Sequence, residues 1–275
     1  VLDIHTHIGR IRERWGYFTS TSLLRWMDGH GIGTACVMSY DSLDALYPVT
    51  SAEVLAATAG ESRLIPFCCL DTRVVDRGLW RSLIEQWVEQ GAKGFGEVMM
   101  DLGVDDPRLI EVYHICAEFK LPVLIHLAGN RGVDTVGLPG LRRVLAQCKE
   151  TAFILHATHW WAEISQDITE DDLNSNKIDR PAIRPGALES VLGGYPNAYG
   201  DLSAMSGYGA LRRLQDGGRA FLEAWSDRLL FGSDLVRDDQ DVPQISHINS
   251  LGLPPRILER IMGGNARALV ESYHD

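Results

Sequence analysis

Apolar runs rich in β-branched residues, each ended by polar residues, recur along the chain. They read VLDIHTH, GTACVMSY, RLIPFCCLD, GAKGFGEVMM, LPVLIHLAG, TAFILHATH, NAYGDLSAM and RLLFGSDLV. Segments with helical spacing lie between them. In RGLWRSLIEQWVEQ the positions Leu79, Leu83, Ile84 and Trp87 predict one buried face. In DPRLIEVYHICAEFK the same period joins Leu109, Ile110, Tyr113 and Ala117, and Pro107 suits the first turn of that helix. LPGLRRVLAQCK, ALESVLGGY and GRAFLEAWSD add further helices. Strand and helix thus alternate at a pitch of roughly thirty residues. Strands that are apolar almost throughout suit a parallel sheet buried on both faces. Eight such units predict an α/β fold of the (β/α)8 TIM-barrel type, one domain over residues 1–275 with long βα loops. A doubly wound open sheet is the second choice, and no G-x-G-x-x-G follows the first strand to support it.

Two connections break the rhythm. One follows ILHATH and runs through WWAEISQDITEDDLNSNKIDRPAIRPG, long and acidic, which makes residues 160–187 a candidate lid. The other, IGRIRERWGYFTSTS, follows the first strand. Loops after strand C-termini lie on the catalytic face of a barrel, so both are candidates to shape a pocket. Surface cover is the competing reading for any single residue in them.

Composition narrows the class. At 275 residues, 45% hydrophobic, the chain can bury a large core. A net charge of -11 without a basic stretch argues against nucleic acid and against an acidic membrane surface. No run reaches the ~18 apolar residues of a membrane span, and no signal-peptide pattern is present. The cysteines Cys36, Cys68, Cys69, Cys116 and Cys148 are odd in number and form no C-x-x-C pair. Free, buried thiols and a cytoplasmic location are the expectation.

The chemistry is suggested by polar residues that end apolar strands. His5 and His7 end the first run, Glu97 the fourth, His126 the fifth, His156 the sixth and Asp234 the eighth. Barrels gather their active sites at these ends. Residues two apart on a strand share a face, so His5 and His7 can both face inward. A lone histidine such as His114 or His274 is adequately explained as solvated or hydrogen-bonded. Six such residues at corresponding strand ends are not, because a buried cluster of this kind is costly without a cation. Imidazole and carboxylate are ligands for zinc, manganese, iron or nickel.

The set DIHTHIG, Glu97, His126 in VLIHLAG, His156 in FILHATH and the closing LLFGSDL resembles the amidohydrolase superfamily. More narrowly it resembles the amidohydrolase-related branch of metal-dependent TIM-barrel hydrolases, which includes decarboxylases and lactonases. IMGGNARAL resembles that branch's terminal helix, and the match spans essentially the whole chain. The resemblance implies that His5, His7 and Asp234 bind a divalent metal, with His126 as a further ligand. His156 would serve a second metal or act as an acid/base group. Many binuclear members use a carboxylated lysine on the fourth strand, whereas several decarboxylase-like members have no ligand there. Lys93 and Glu97 share strand parity, and Glu97, nearer the rim, is the better ligand for one ion or a bridge between two. Lys93 is expected as a core residue paired with a carboxylate. His159 falls in the following loop as a pocket or surface residue. Asp201 either hydrogen-bonds a ligand histidine or caps the next turn.

The expected reaction is hydrolysis of an amide, lactone or ester in a small carbonyl compound by metal-activated water, with one or two ions, zinc first. Asp234 is the natural general base and His156 the acid or oxyanion partner. One of Arg10, Arg12, Arg131 and Arg237 is a candidate to grip a substrate carboxylate, against the reading of each as a surface arginine. The alternative is a metal-dependent decarboxylase of an aromatic or unsaturated acid, with Trp15, Tyr17, Trp160, Trp161 and Tyr208 as candidate stacking groups. Glu97 speaks mildly against that alternative. A non-catalytic metal-binding barrel is the third reading. Homo-oligomers are common for the fold.

Overall fold

A computed structural model describes residues 1–175 and 177–271. Eight parallel strands pair in sequence order: β1 (Leu2–Thr6), β2 (Thr34–Val37), β3 (Leu64–Cys68), β4 (Gly94–Val98), β5 (Val123–His126), β6 (Phe153–His156), β7 (Ala198–Asp201) and β8 (Leu229–Leu230). Each falls inside an apolar run identified above. The short β8 continues as an extended segment that closes the barrel onto β1. Ile4 N–H donates to Phe231 O at 3.0 Å, Asp234 N–H to His5 O at 2.8 Å and His7 N–H to Leu235 O at 2.9 Å. The fold is therefore the (β/α)8 barrel that the alternation predicts.

The helices that matter for the site are α1 (Ser20–His30), α2 (Ser51–Thr58), α3 (Trp80–Glu89), α4 (Pro107–Glu118), α5 (Pro139–Gln147), α6 (Ala157–Ala162), α7 (Ala187–Gly194) and α8 (Ala204–Arg212). α4 begins as its sequence predicts, with Pro107 in the first turn and the Asp106 carboxylate accepting from Arg108 N–H. α3 departs from expectation. A 3-10 turn at Arg77–Leu79 precedes it, leaving Leu79 52% exposed, and Trp80 takes the buried position instead. Strand and helix residues pack into one large cluster, and a second joins Leu2, Ile4, Leu124 and Ile154 to the terminal helix residues Leu269 and Val270. All five cysteines are free and buried. No described helix is long and apolar enough to cross a membrane.

The segment after β6 is not a plain loop. α6 starts at once, so Trp160 and Trp161 are buried, at 0% and 1% exposure. Residues beyond it form a small cluster around Ala162, Ile168 and Leu173. Asn176, inside the candidate lid, and His274 lie outside the described residues.

Candidate active site

The strand ends converge. Register pairs His126 on β5 directly with His156 on β6. β1 delivers His5 and His7, whose Nε2 atoms stand 3.0 Å apart. Around them, His7 Nε2 lies 3.4 Å from Glu97 Oε2 and 3.3 Å from Asp234 Oδ1. His5 Nε2 lies 3.6 and 3.7 Å from the same two oxygens. The other Glu97 oxygen, Oε1, is 2.7 Å from His126 Nδ1 and 4.0 Å from His156 Nε2. Asp234 Oδ2 is 3.8 Å from that same His156 nitrogen. Glu97 thus faces two groups of donors, one oxygen to each. Asp234 reaches this position with a left-handed backbone, φ 54°, at a cost of about 1–3 kcal/mol that the closing seam helps to offset.

Behind these groups is a supporting layer. Asp201 Oδ2 is 2.8 Å from His5 Nδ1, so the carboxylate accepts a hydrogen bond from that nitrogen and turns Nε2 toward the cluster. Ser203 Oγ donates to Asp201 at 2.6 Å and sits 2.8 Å from His156 Nδ1. The hydroxyl's proton is committed to a carboxylate, so Oγ accepts from His156 Nδ1–H and leaves its Nε2 facing inward as a lone pair. Asp3 is fully buried; its Oδ1 accepts from His5 N–H and Ser233 N–H and ties β1 to the β8 segment. Burial lifts the Asp3 carboxyl to about 7, against those hydrogen bonds.

Five ionisable groups of the cluster shift one another's protonation. Burial pulls the His5 imidazole down, yet Asp234, Asp201 and Glu97 lift it well above its ordinary value. Burial likewise opposes protonation of His7, and Asp234 and Glu97 raise it. Burial pushes the Glu97 carboxyl up, but hydrogen bonds from His126 and His5 hold it well below the usual range. Asp201 and Asp234 are lowered in the same way by facing imidazoles, against their burial. Two protonated rings with Nε2 atoms 3.0 Å apart repel. Ligands on one small divalent ion stand ~3.0–3.4 Å apart, and the separations of 3.0, 3.3 and 3.4 Å around His7 Nε2 suit a shared cation. Such an ion must displace protons from these imidazoles. Zinc affinity should therefore rise with pH, by about tenfold per unit for each proton released. Calorimetric titration from about pH 6 to about pH 8 measures this, and an affinity flat in pH would contradict it.

Residues 50–271 match the family model described as Amidohydrolase, which is most of the chain. This chain belongs to the amidohydrolase family. No curated protein matches this amidohydrolase in sequence. Among solved structures it is similar to an uncharacterised TIM-barrel protein, Bb4693, from Bordetella bronchiseptica, at 18% identity and TM-score 0.68 with both chains fully covered. It is also similar to a Pseudomonas putida protein provisionally named 2-pyrone-4,6-dicarboxylic acid hydrolase, at 16% identity and TM-score 0.64, covering 100% of this chain and 98% of that one. A third is the dihydroxybenzoic acid decarboxylase of Polaromonas sp. JS666, crystallised with manganese and 2-nitroresorcinol, at 14% identity and TM-score 0.60, covering 100% and 97%. At these identities the likeness is one of fold.

The amidohydrolase's main cavity, about 770 Å³, opens above the cluster, with His7, Glu97, His126 and Asp234 in its lining. Its walls come from the loops after β1 and β2, through Arg12, Trp15, Tyr40 and Leu46, with Met99 and Arg131 from further round. No described residue of 160–187 lines it. Of the four arginines, Arg12 and Arg131 line the cavity. Arg10 lies over the Tyr47 ring, and Arg237 pairs with Asp239 and lies over Trp15. Of the candidate stacking aromatics, only Trp15 is in place. Trp160 and Trp161 belong to the core because α6 turns them inward, and Trp161 Nε1–H donates to Asp201 O at 2.9 Å. Tyr17 is 65% exposed, and Tyr208 packs against His247. His159 is buried on α6, 3.4 Å from Glu163, rather than in a loop. Lys93 sits ahead of β4 and makes no ion pair among the described residues, so its expected carboxylate partner is not found. Asp3, Ser203 and Tyr40 were not anticipated. An aspartate inside the first apolar run was the available signal for Asp3.

Proposed function

We propose that this amidohydrolase is a divalent-metal-dependent hydrolase that cleaves an amide, lactone or ester bond in a small carbonyl compound. The observation that carries the reading is Glu97, whose two oxygens face His5 and His7 on one side and His126 and His156 on the other. His5, His7 and Glu97 would hold one ion, joined by Asp234 through its approach to both histidines, and Glu97, His126 and His156 offer donors for a second. Zinc is the first choice for this donor set, with manganese, iron or nickel as alternatives. When bound, the metal supplies an acidified water and polarises a carbonyl. Asp234, 27% exposed at the cavity floor, accepts the proton of the attacking water and returns it to the leaving group. With one ion bound, His156 would remain free as an acid/base group, its Nε2 lone pair turned toward the cluster by the Ser203 contact at Nδ1.

A second reading, decarboxylation of an aromatic or unsaturated acid, is favoured by the cavity itself. Trp15 and Tyr40 offer flat surfaces, and Arg12 and Arg131 offer charge for a carboxylate. Names of both kinds occur among structures of this fold. One experiment separates the readings. Metal-loaded protein is offered lactones, amides, esters and aromatic acids, with acid release and carbon dioxide followed together. Hydrolysis without carbon dioxide is the expected result. Carbon dioxide from an aromatic acid would replace it with the second reading, and metal binding without turnover of either kind would leave a non-catalytic barrel. Elemental analysis in parallel counts the ions, and a metal-free protein with full activity would overturn the core of the proposal.

A further inference from the structure

Away from the main cavity, the guanidinium of Arg213 is buried without a counterion among the described residues. Arg213, at the C-terminal end of α8, is 9% exposed. Its Nε–H donates to Arg180 O at 3.1 Å, and its own carbonyl accepts from Ala182 N–H at 2.9 Å, so it fastens the 180–182 stretch to α8. Its Nη2 is buried with no partner among the described residues. No carboxylate among the described residues forms an ion pair with it; the nearby Asp167 and Asp172 are both taken by Arg180. Burying a guanidinium this way is costly unless an anion completes it. Burial and the Arg180 charge hold Arg213 below its ordinary pKa, against an opposing pull from Asp167 and Asp172.

The surroundings provide room for that anion. Arg213 lines a cavity of about 320 Å³ together with Lys177, Arg212 and Tyr208, against one carboxylate, Asp179. Arg212 lies over the Tyr208 ring at 5.6 Å, which holds its guanidinium at the cavity wall. In a chain of net charge -11 this is a local excess of cations. No residue lining this cavity lines the main one. We propose that it is a second, non-catalytic site that binds a small oxyanion, phosphate or carboxylate, through Arg213, Arg212 and Lys177. A bound oxyanion takes up the free Nη2–H and clamps residues 177–182 against α8, the helix that follows Asp201 and Ser203.

The test is calorimetric titration of the full chain with inorganic phosphate and, separately, malonate. Saturable binding of one anion per chain is expected, with a rise in melting temperature of about 3 °C at ten times Kd. Binding of phosphate alone, malonate alone or both identifies the source of the oxyanion. Arg213→Met should weaken it at least about tenfold. Should that variant fail to fold, Lys177→Gln/Arg212→Gln, both exposed, should weaken binding about threefold to tenfold. Glu97→Gln serves as the control for anions held at the catalytic cluster and should leave this binding unchanged. Absence of saturation with both anions below ~20 mM, or equal affinity in wild type and the Arg213 or Lys177/Arg212 variants, overturns the proposal. Loss of binding in Glu97→Gln alone does so too.

Discussion

Glu97→Gln is expected to lower turnover by at least about a thousandfold and to reduce the metal held per chain, a loss of ~4 kcal/mol of transition-state stabilisation. The substitution keeps the shape of the side chain and removes its charge. In either orientation the new amide NH2 must face an imidazole nitrogen: His126 Nδ1 at 2.7 Å on one side, or His5 and His7 Nε2 at 3.6 and 3.4 Å on the other. No flip restores acceptors to both. Backbone contacts at the position, such as the Ser39 O that accepts from Glu97 N–H at 2.8 Å, are untouched, so the barrel itself should fold. Elemental analysis and kcat together check the result. Wild-type metal content with a rate within tenfold of wild type would remove Glu97 from the centre of the mechanism.

Asp234→Asn separates binding from proton transfer. Asparagine adopts the left-handed backbone at this position as readily as aspartate, so the substitution should not disturb the closing seam. At the proposed metal site, His5, His7 and Glu97 would remain to hold the ion. kcat is expected to fall by about 100- to 10,000-fold, the range for loss of a general base, with KM changed by no more than about threefold. Metal analysis should show most of the ion retained. A variant that kept its rate would assign the proton transfer elsewhere. One that lost both metal and rate would make Asp234 principally a ligand.

The barrel was legible because its strands are buried on both faces, which writes near-continuous apolar runs into the chain. The candidate site was legible for a related reason: His126, His156 and Asp234 interrupt those runs at their ends, where a core has no use for them. The errors are local and physical. Leu79 has the right spacing for the α3 stripe, but the 3-10 turn before α3 rotates it out and Trp80 in. Trp160 and Trp161 read as loop aromatics because nothing in HATHWW announces a helix; Ala157, at φ 83°, makes the turn that starts one. Which arginines reach the cavity depends on the course of loops, and periodicity carries no information about that. Ser203 is an ordinary serine until its neighbours are known. Its part in setting the His156 tautomer rests on where Asp201 and His156 meet, forty-five residues apart along the chain.

The seam that closes the barrel has a kinetic consequence. Asp234 and His5 meet through a backbone hydrogen bond between positions separated by nearly the whole described chain. The proposed metal cluster therefore cannot form from any local piece of sequence. It must await a long-range loop closure, a step of high contact order. Metal capture should report completed folding rather than guide its early stages. Added zinc would slow unfolding, by holding the seam shut, far more than it would speed refolding.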